Sequence, residues 1–283
     1  MNITASDVKS LREKTQAGVM ECKKALVEAE GDFATAEQFL KERGLLQSKK
    51  RENRETREGR VFIKLEPSKA VIVELGCETD FVAENKYFIA LGNACLDLVF
   101  DGNAGALEDR VTDTVSITKE NIVVKKYATM SAAENEIVYG YLHGPGRIGV
   151  LVKIWISDGS KKDDAAFREL ANDLSLQIAA FTPRFVSQDG VPAEYLEKIE
   201  REYRRETEES GKPEKLWERI TAGKIQKHLD RVCLSEQPYV RDETVKVSAF
   251  MKNTASLINA DVKVVDFIRY EISGNESPAP HDL

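Results

Sequence analysis

Histidine is scarce in this chain, with three in 283 residues: His143, His228 and His281. None stands at metal-ligand spacing from another. Gly-x-Ser-x-Gly, P-loop and dinucleotide fingerprints are missing, so hydrolase, nucleotidase and dehydrogenase readings have no motif to rest on. The four cysteines, Cys22, Cys77, Cys95 and Cys233, lie far apart with no Cys-x-x-Cys. Each falls in an apolar pattern, which predicts buried, reduced thiols rather than a zinc site or a disulfide framework. No stretch approaches the ~20 apolar residues of a membrane span. Met1-Asn2-Ile3-Thr4 lacks a basic region followed by an apolar core, so no secretory leader is expected. A basic surplus is also missing: 41 basic against 48 acidic residues give a net charge of −7. Nucleic acid and anionic membranes both favour basic surface. The expectation is a soluble, cytoplasmic protein without metal or cofactor, with no direct contact to nucleic acid or membrane.

What is present is a chain long enough for two or more domains. Thr4 and Asp7 form a capping arrangement for a first helix carrying Val8 and Leu11. Gly18 opens a second helix with Val19, Cys22, Leu26 and Ala29 at helical spacing. Asp32 caps a third, and Gly44 fits its carboxyl cap. Met20 sits one step off the apolar stripe of its helix, as either a core gap-filler or a residue facing solvent or a partner. Residues 47–59 are charged without an apolar face and read as a linker. Residues 60–77 read as a hairpin turning at Pro67-Ser68-Lys69. Phe88, Leu91, Cys95 and Leu98 mark a helix, and 101–113 read as a loop. Residues 120–130 fit helix or strand. Strands are expected over 137–142 and 148–156, joined by His143-Gly144-Pro145-Gly146-Arg147, read as a plain turn over a phosphate cradle. An amphipathic helix is expected over 162–181. Narrow seams within 182–234 predict an antiparallel helical hairpin projecting from the body. A last short helix, a strand over 261–272 and a loose tail over 273–283 complete the chain.

The fold class expected is α+β. It has a three-helix domain (1–46), a charged linker (47–59), and a two-subdomain core with antiparallel sheets (60–136; 137–181 with 235–272). The hairpin (182–234) protrudes from it. The same order of strands then helix appears twice, which points to two related subdomains.

One stretch breaks pattern, Glu74-Leu75-Gly76-Cys77-Glu78-Thr79-Asp80-Phe81-Val82-Ala83-Glu84. It closes a buried strand, turns at Thr79 and Asp80, and places Phe81 where a loop should be polar. Two readings stand side by side: Phe81 folds onto its own core, or it enters another molecule's pocket with Asp80 beside it.

This stretch resembles the second signature of the elongation factor Ts family. The segment from Leu11 to Leu26, with Lys23-Lys24-Ala25-Leu26 at its end, resembles the first. Ser210-Gly211-Lys212-Pro213 with Glu236-Gln237-Pro238 is similar to the family as well, and the three short helices resemble ubiquitin-associated domains. The resemblance implies a guanine-nucleotide exchange factor, not an enzyme with covalent chemistry. It would bind elongation factor Tu, with GDP or nucleotide-free, displace its magnesium ion and promote GDP release. It implies that Thr79, Asp80, Phe81 and Val82 reach the magnesium and nucleotide site, and that Leu11, Arg12, Val19 and Met20 grip the partner. Gln177 stands where many members carry His, and the resemblance implies that it supports Phe81 by packing and hydrogen bonding. A homodimer in a two-plus-two complex stays open. The alternative is a helical adaptor or peptide-binding protein using the amino-terminal domain.

Overall fold

The computed structural model describes residues 3–15 and 17–272; the expected loose tail over 273–283 lies outside them. Three helices come first: α1 (Ala5–Thr15), α2 (Val19–Glu28) and α3 (Phe33–Arg51). The caps follow from the sequence. The Asp7 amide donates to the Thr4 hydroxyl at 3.2 Å and the Asp7 carboxylate accepts from the Thr4 amide at 2.9 Å. Asp32 accepts from the Thr35 amide at 2.7 Å. Leu11, Cys22, Ala25, Leu26 and Ala36 form a fully buried apolar centre.

Gly44 does not cap α3. The helix runs through it to Arg51, because Gly44 is where α3 crosses a later helix: a Cβ there would collide with the Ser116 hydroxyl. A glycine inside a helix costs stability unless close approach demands it. The charged stretch read as a linker is therefore helical through Arg51, and it enters the first strand at Glu58.

The first half of the core is β1 (Glu58–Glu66), β2 (Lys69–Cys77), α4 (Asp80–Ala83), α5 (Lys86–Phe100), α6 (Leu107–Thr118) and β3 (Ile122–Ser131). The sheet is antiparallel in the order β1-β2-β3, with Glu66 opposite Lys69 across the expected turn. Residues 120–130, ambiguous in sequence, supply β3. The expected loop over 101–113 instead enters α6 at Leu107. Its β-branched composition disfavours helix. The Thr112, Thr114 and Thr118 hydroxyls donate to carbonyls one turn back, and packing against α3 and α5 holds the helix.

The second half is β4 (Glu136–His143), β5 (Ile148–Ile156), α7 (Ala165–Phe181), α8 (Ala193–Glu209), α9 (Trp217–Val232), the short pair β6 (Pro238–Tyr239) and β7 (Asp242–Lys246), α10 (Val247–Ile258) and β8 (Val262–Glu271). Its sheet runs β4-β5-β8, antiparallel throughout. The two halves thus share one layout, with a hairpin, a helical connection and a third strand beside the second.

Period-two alternation explains the packing. On β2, Val71, Val73 and Leu75 face α5 and α6, while Ala70 and Ile72 face the other sheet. On β5, Val150, Val152, Ile154 and Ile156 face α7 and α10, while Leu151 joins Ala70, Ile72 and Met130 between the sheets. The result is helices, sheet, sheet, helices. The His143–Arg147 turn is a plain one that ties the halves together. The Gly146 carbonyl accepts from the Val61 amide at 2.8 Å, and Arg147 pairs with Glu58.

Helices α8 and α9 form the expected hairpin, with their own apolar seam of Tyr195, Ile199, Leu229 and Val232. The four cysteines are buried and free, as the pattern predicts. Burial pushes the Cys77 thiol up to about 12 and the Cys95 and Cys233 thiols up to about 11. Among the described residues no helix is long and apolar enough to cross a membrane.

Candidate partner-binding site

At the end of β2 the chain turns sharply into α4. Thr79 is extended (φ −128°, ψ 156°) and its hydroxyl accepts from the Val82 amide at 3.4 Å. Asp80 accepts from the Phe81 amide at 2.9 Å through its own side chain. Val82 and Ala83 are buried in the α5–α6 core and anchor the turn. Phe81, between the turn and its anchor, is 81% exposed. Of the two readings of this residue, folding onto its own core is excluded. A phenyl ring left in water forgoes roughly 1.5–3 kcal/mol of burial.

The turn is braced from a distance. The Glu120 carboxylate accepts from the Glu78 amide at 3.1 Å, the Thr79 amide at 3.0 Å and the Thr79 hydroxyl at 2.7 Å. Glu78 reciprocates by accepting from the Asn121 amide at 2.7 Å. Arg54 adds an ion pair to Glu78 at 3.3 Å. The Cys77 thiol donates to the Thr79 carbonyl at 3.2 Å. Backbone donors at a strand end need such acceptors, and charge-assisted ones are the stronger kind. These contacts brace the turn and leave its aromatic exposed.

A second exposed apolar surface lies on α2. Val19 is 49% exposed, Met20 64% and Val27 57%. At 3.6 residues per turn these three and Lys23 fall within roughly 100° of arc, which starts beside the buried Cys22–Leu26 stripe at Val19 and runs away from it to Met20. Met20 therefore faces solvent, the second of its two sequence readings. Arg12 is exposed on the neighbouring α1. Leu11 is fully buried between the helices, so it shapes this surface from beneath and offers no contact of its own.

Comparison with known proteins gives the family. The family described as "Elongation factor TS" matches residues 78–274. A relative named "Elongation factor Ts" from Borrelia recurrentis (strain A1) is 38% identical over 272 residues, covering 94% of this chain and 98% of its own. Relatives of the same name from Nautilia profundicola and Clostridium botulinum are each 37% identical, covering 96% and 95% of this chain and 93% and 92% of theirs.

The chain belongs to the elongation factor Ts family. Membership makes it a translation elongation factor, working in protein biosynthesis. Within this elongation factor Ts chain, Gln177 sits in the second half, fully buried on α7. Its amide nitrogen donates to the Gln237 side chain and the Pro238 carbonyl, each at 3.1 Å, and its oxygen accepts from the Val240 amide at 2.7 Å. These bonds use both amide hydrogens and one lone pair of the oxygen, and among the described residues none reaches 79–82. One turn earlier, Asp173 holds Arg241 at 2.6 Å and accepts from the Tyr239 hydroxyl. Asp173 and Gln177 together clamp residues 237–241 at the root of the α8–α9 hairpin. Burial, then the Asp173 bond, pushes the Tyr239 phenol well above its ordinary value.

The bracing residues Glu120, Asn121 and Arg54 carry no local signal. They lie 41 to 43 and 24 positions from their partners in the turn. The one hint is composition: a Lys-Glu-Asn cluster directly before a strand.

Proposed function

We propose that this elongation factor is a guanine-nucleotide exchange factor for elongation factor Tu. It binds the GDP form, loosens the nucleotide, and leaves when GTP enters. Support comes from the family and, above all, from one observation: a rigidly braced turn that ends in an 81%-exposed phenylalanine. The mechanism is linkage. A protein that binds the nucleotide-free partner better must weaken nucleotide affinity by the same factor. Phe81 inserts into the partner and forces neighbours aside, gaining the burial that it lacks in the free protein. The partner's magnesium is a large local charge holding GDP phosphates, and Asp80 beside Phe81 brings a carboxylate to that neighbourhood. Thr79 and Val82 fix the turn. No bond of the nucleotide is made or broken, so the protein needs no catalytic group.

Arg12, Val19 and Met20 form the gripping surface, with Leu11 beneath it. Two contact surfaces on one molecule make the second contact effectively intramolecular. The role left to Gln177 is in the second half, where it fixes residues 237–240. The reading places the protein in the cytoplasm, with translation.

The test is stopped-flow release of a fluorescent GDP analogue from elongation factor Tu, with and without the protein. Acceleration that saturates with protein concentration is expected. Release at the intrinsic rate across the titration would refute the proposal.

A further inference from the structure

Lys119, Glu120 and Asn121 lie between α6 and β3, and each reaches a different part of the molecule. Lys119 takes a left-handed conformation (φ +64°) that ends α6 and turns the next two residues toward the strand end. Its ammonium pairs with Glu21 on α2 at 3.1 Å. Glu120 gathers the Glu78 and Thr79 amides and the Thr79 hydroxyl. Asn121 donates its side-chain amide to the Glu52 carbonyl at 3.3 Å and the Arg54 carbonyl at 2.8 Å, the segment that leaves α3. Its backbone amide holds Glu78, which in turn holds Arg54. Asn121 is 4% exposed, so its own amide groups are largely out of water. Just before this junction, Gly44 of α3 lies against Ser116 of α6.

We infer that residues 119–121 are a positioning junction. They set the orientation of the Phe81 turn relative to the α2 surface, so that both surfaces meet one partner molecule at once. The inference rests on the exchange-factor reading above. The junction touches neither nucleotide nor metal; it acts through Thr79 and through the segment after α3. Contacts made from two surfaces of one molecule reinforce each other only when their geometry matches the partner. A misplacement of about 1 Å at the acting group can cost a large part of a rate. Loosening the junction should therefore lower the rate reached at saturation more than the affinity. The α2 grip survives while the wedge is misaimed.

Glu120→Ala removes all three bonds to the turn. Glu120→Gln keeps the shape: its oxygen accepts the two amides, and the Thr79 hydroxyl reverses to accept from the new NH2. GDP release is measured against protein concentration for the full chain, alone and in the Phe81→Ala background. Glu120→Ala is expected to lower the plateau rate about five-fold or more, with half-saturation within about two-fold of parental. Glu120→Gln is expected to restore the plateau to within about two-fold. In the Phe81→Ala background Glu120→Ala should add no further loss, since it acts through the residue already removed. Circular dichroism and thermal melting report the fold. If Glu120→Ala does not fold, Asn121→Ala carries the same test, with the same requirement in both backgrounds. An unchanged plateau, or a loss of the same size with and without Phe81, overturns the junction. Failure of the parental protein itself to speed release overturns the exchange reading instead.

Discussion

The two halves of the core run the same course, yet they treat one connection in opposite ways. After β2, the chain places Phe81 in water on a turn braced by a distant carboxylate. After β5, the corresponding connection is polar and satisfies itself. Asp158 accepts from the Ser160 amide at 3.0 Å and hydroxyl at 2.7 Å, and Asp164 caps α7 by accepting from the Ala166 amide at 2.9 Å. The scaffold is common to both, with a central strand buried on two faces and helices outside. What differs is the loop, and the proposed function rests on the loop that departs from the polar norm. The second half departs elsewhere, by inserting the α8–α9 hairpin before its last helix and strand. One half spends its variation on an exposed aromatic and the other on an extended arm.

The largest expected effect tests whether the halves are one cooperative body. Phe88 on α5 and Phe167 on α7 are both fully buried, one in each helical layer. Phe→Ala at such sites costs about 3–5 kcal/mol. Because Ile72 and Leu151 meet in one layer between the sheets, each variant should lower a single unfolding transition. Chemical denaturation followed by both fluorescence and circular dichroism checks this. Two separated transitions, with each variant moving only one, would break the picture of a shared core.

The next effect sharpens the contrast between the loops. Phe81→Ala should slow GDP release from elongation factor Tu by about ten-fold or more, equivalent to ~1.4 kcal/mol. Asp80→Ala should cost less, since Thr79 shares its role in the turn. Lys161→Ala, in the corresponding connection of the second half, should stay within about two-fold of parental. A folded Phe81→Ala protein that matched the parental rate would remove the wedge from the mechanism.

Met20→Asp should act differently again. It places a charge on the exposed α2 face proposed to grip the partner, and should raise the half-saturating concentration by about ten-fold at little cost to the plateau. A drop in plateau with unchanged half-saturation would assign α2 to the release step and not to grip. Deleting residues 1–54 is a coarser experiment, because α3 also covers α6 at Gly44.

Much of this was legible from residue order. Hairpins, capped helices and the amphipathic α7 follow local rules, because neighbours in sequence decide them. The turn at Thr79–Val82 was visible as a break in pattern, but its two readings needed the structure, since exposure is a property of the whole fold. Long-range contacts erased other signals. Gly44 looks like a helix stop and is a helix crossing. The threonine-rich α6 looks like a loop because its stability comes from packing. Glu120 looks like one more surface carboxylate, and its partners lie 41 and 42 positions away. Leu11 and Gln177 show the converse, since family signatures mark residues that matter without saying whether they touch the partner or hold the fold.

The smallest effect concerns the arm that only the second half carries. His228 sits between α8 and α9, with its ring nitrogens 2.8 Å from the Tyr195 and Tyr203 hydroxyls. In the neutral ring one nitrogen donates and the other accepts, so both tyrosines are satisfied. Protonation makes both nitrogens donors and sets a positive charge beside Arg231 and Arg184. Burial first, then these two arginines, lowers the histidine below its ordinary value, and Glu202 offsets only part of this. A histidine depressed in the folded state binds its proton more readily when unfolded. Its contribution is therefore fully present above the ordinary value near 6.5. It is lost as pH falls from there toward the lower folded value. Between pH 7.5 and 5.5 the hairpin should lose hydrogen-exchange protection in the parental protein, while β2 and β5 keep theirs. His228→Gln should flatten that dependence, because glutamine carries no titrating group. Equal acid sensitivity in His228→Gln would place the effect elsewhere in the arm. Loss of protection in β2 and β5 at the same pH would show that arm and core open together.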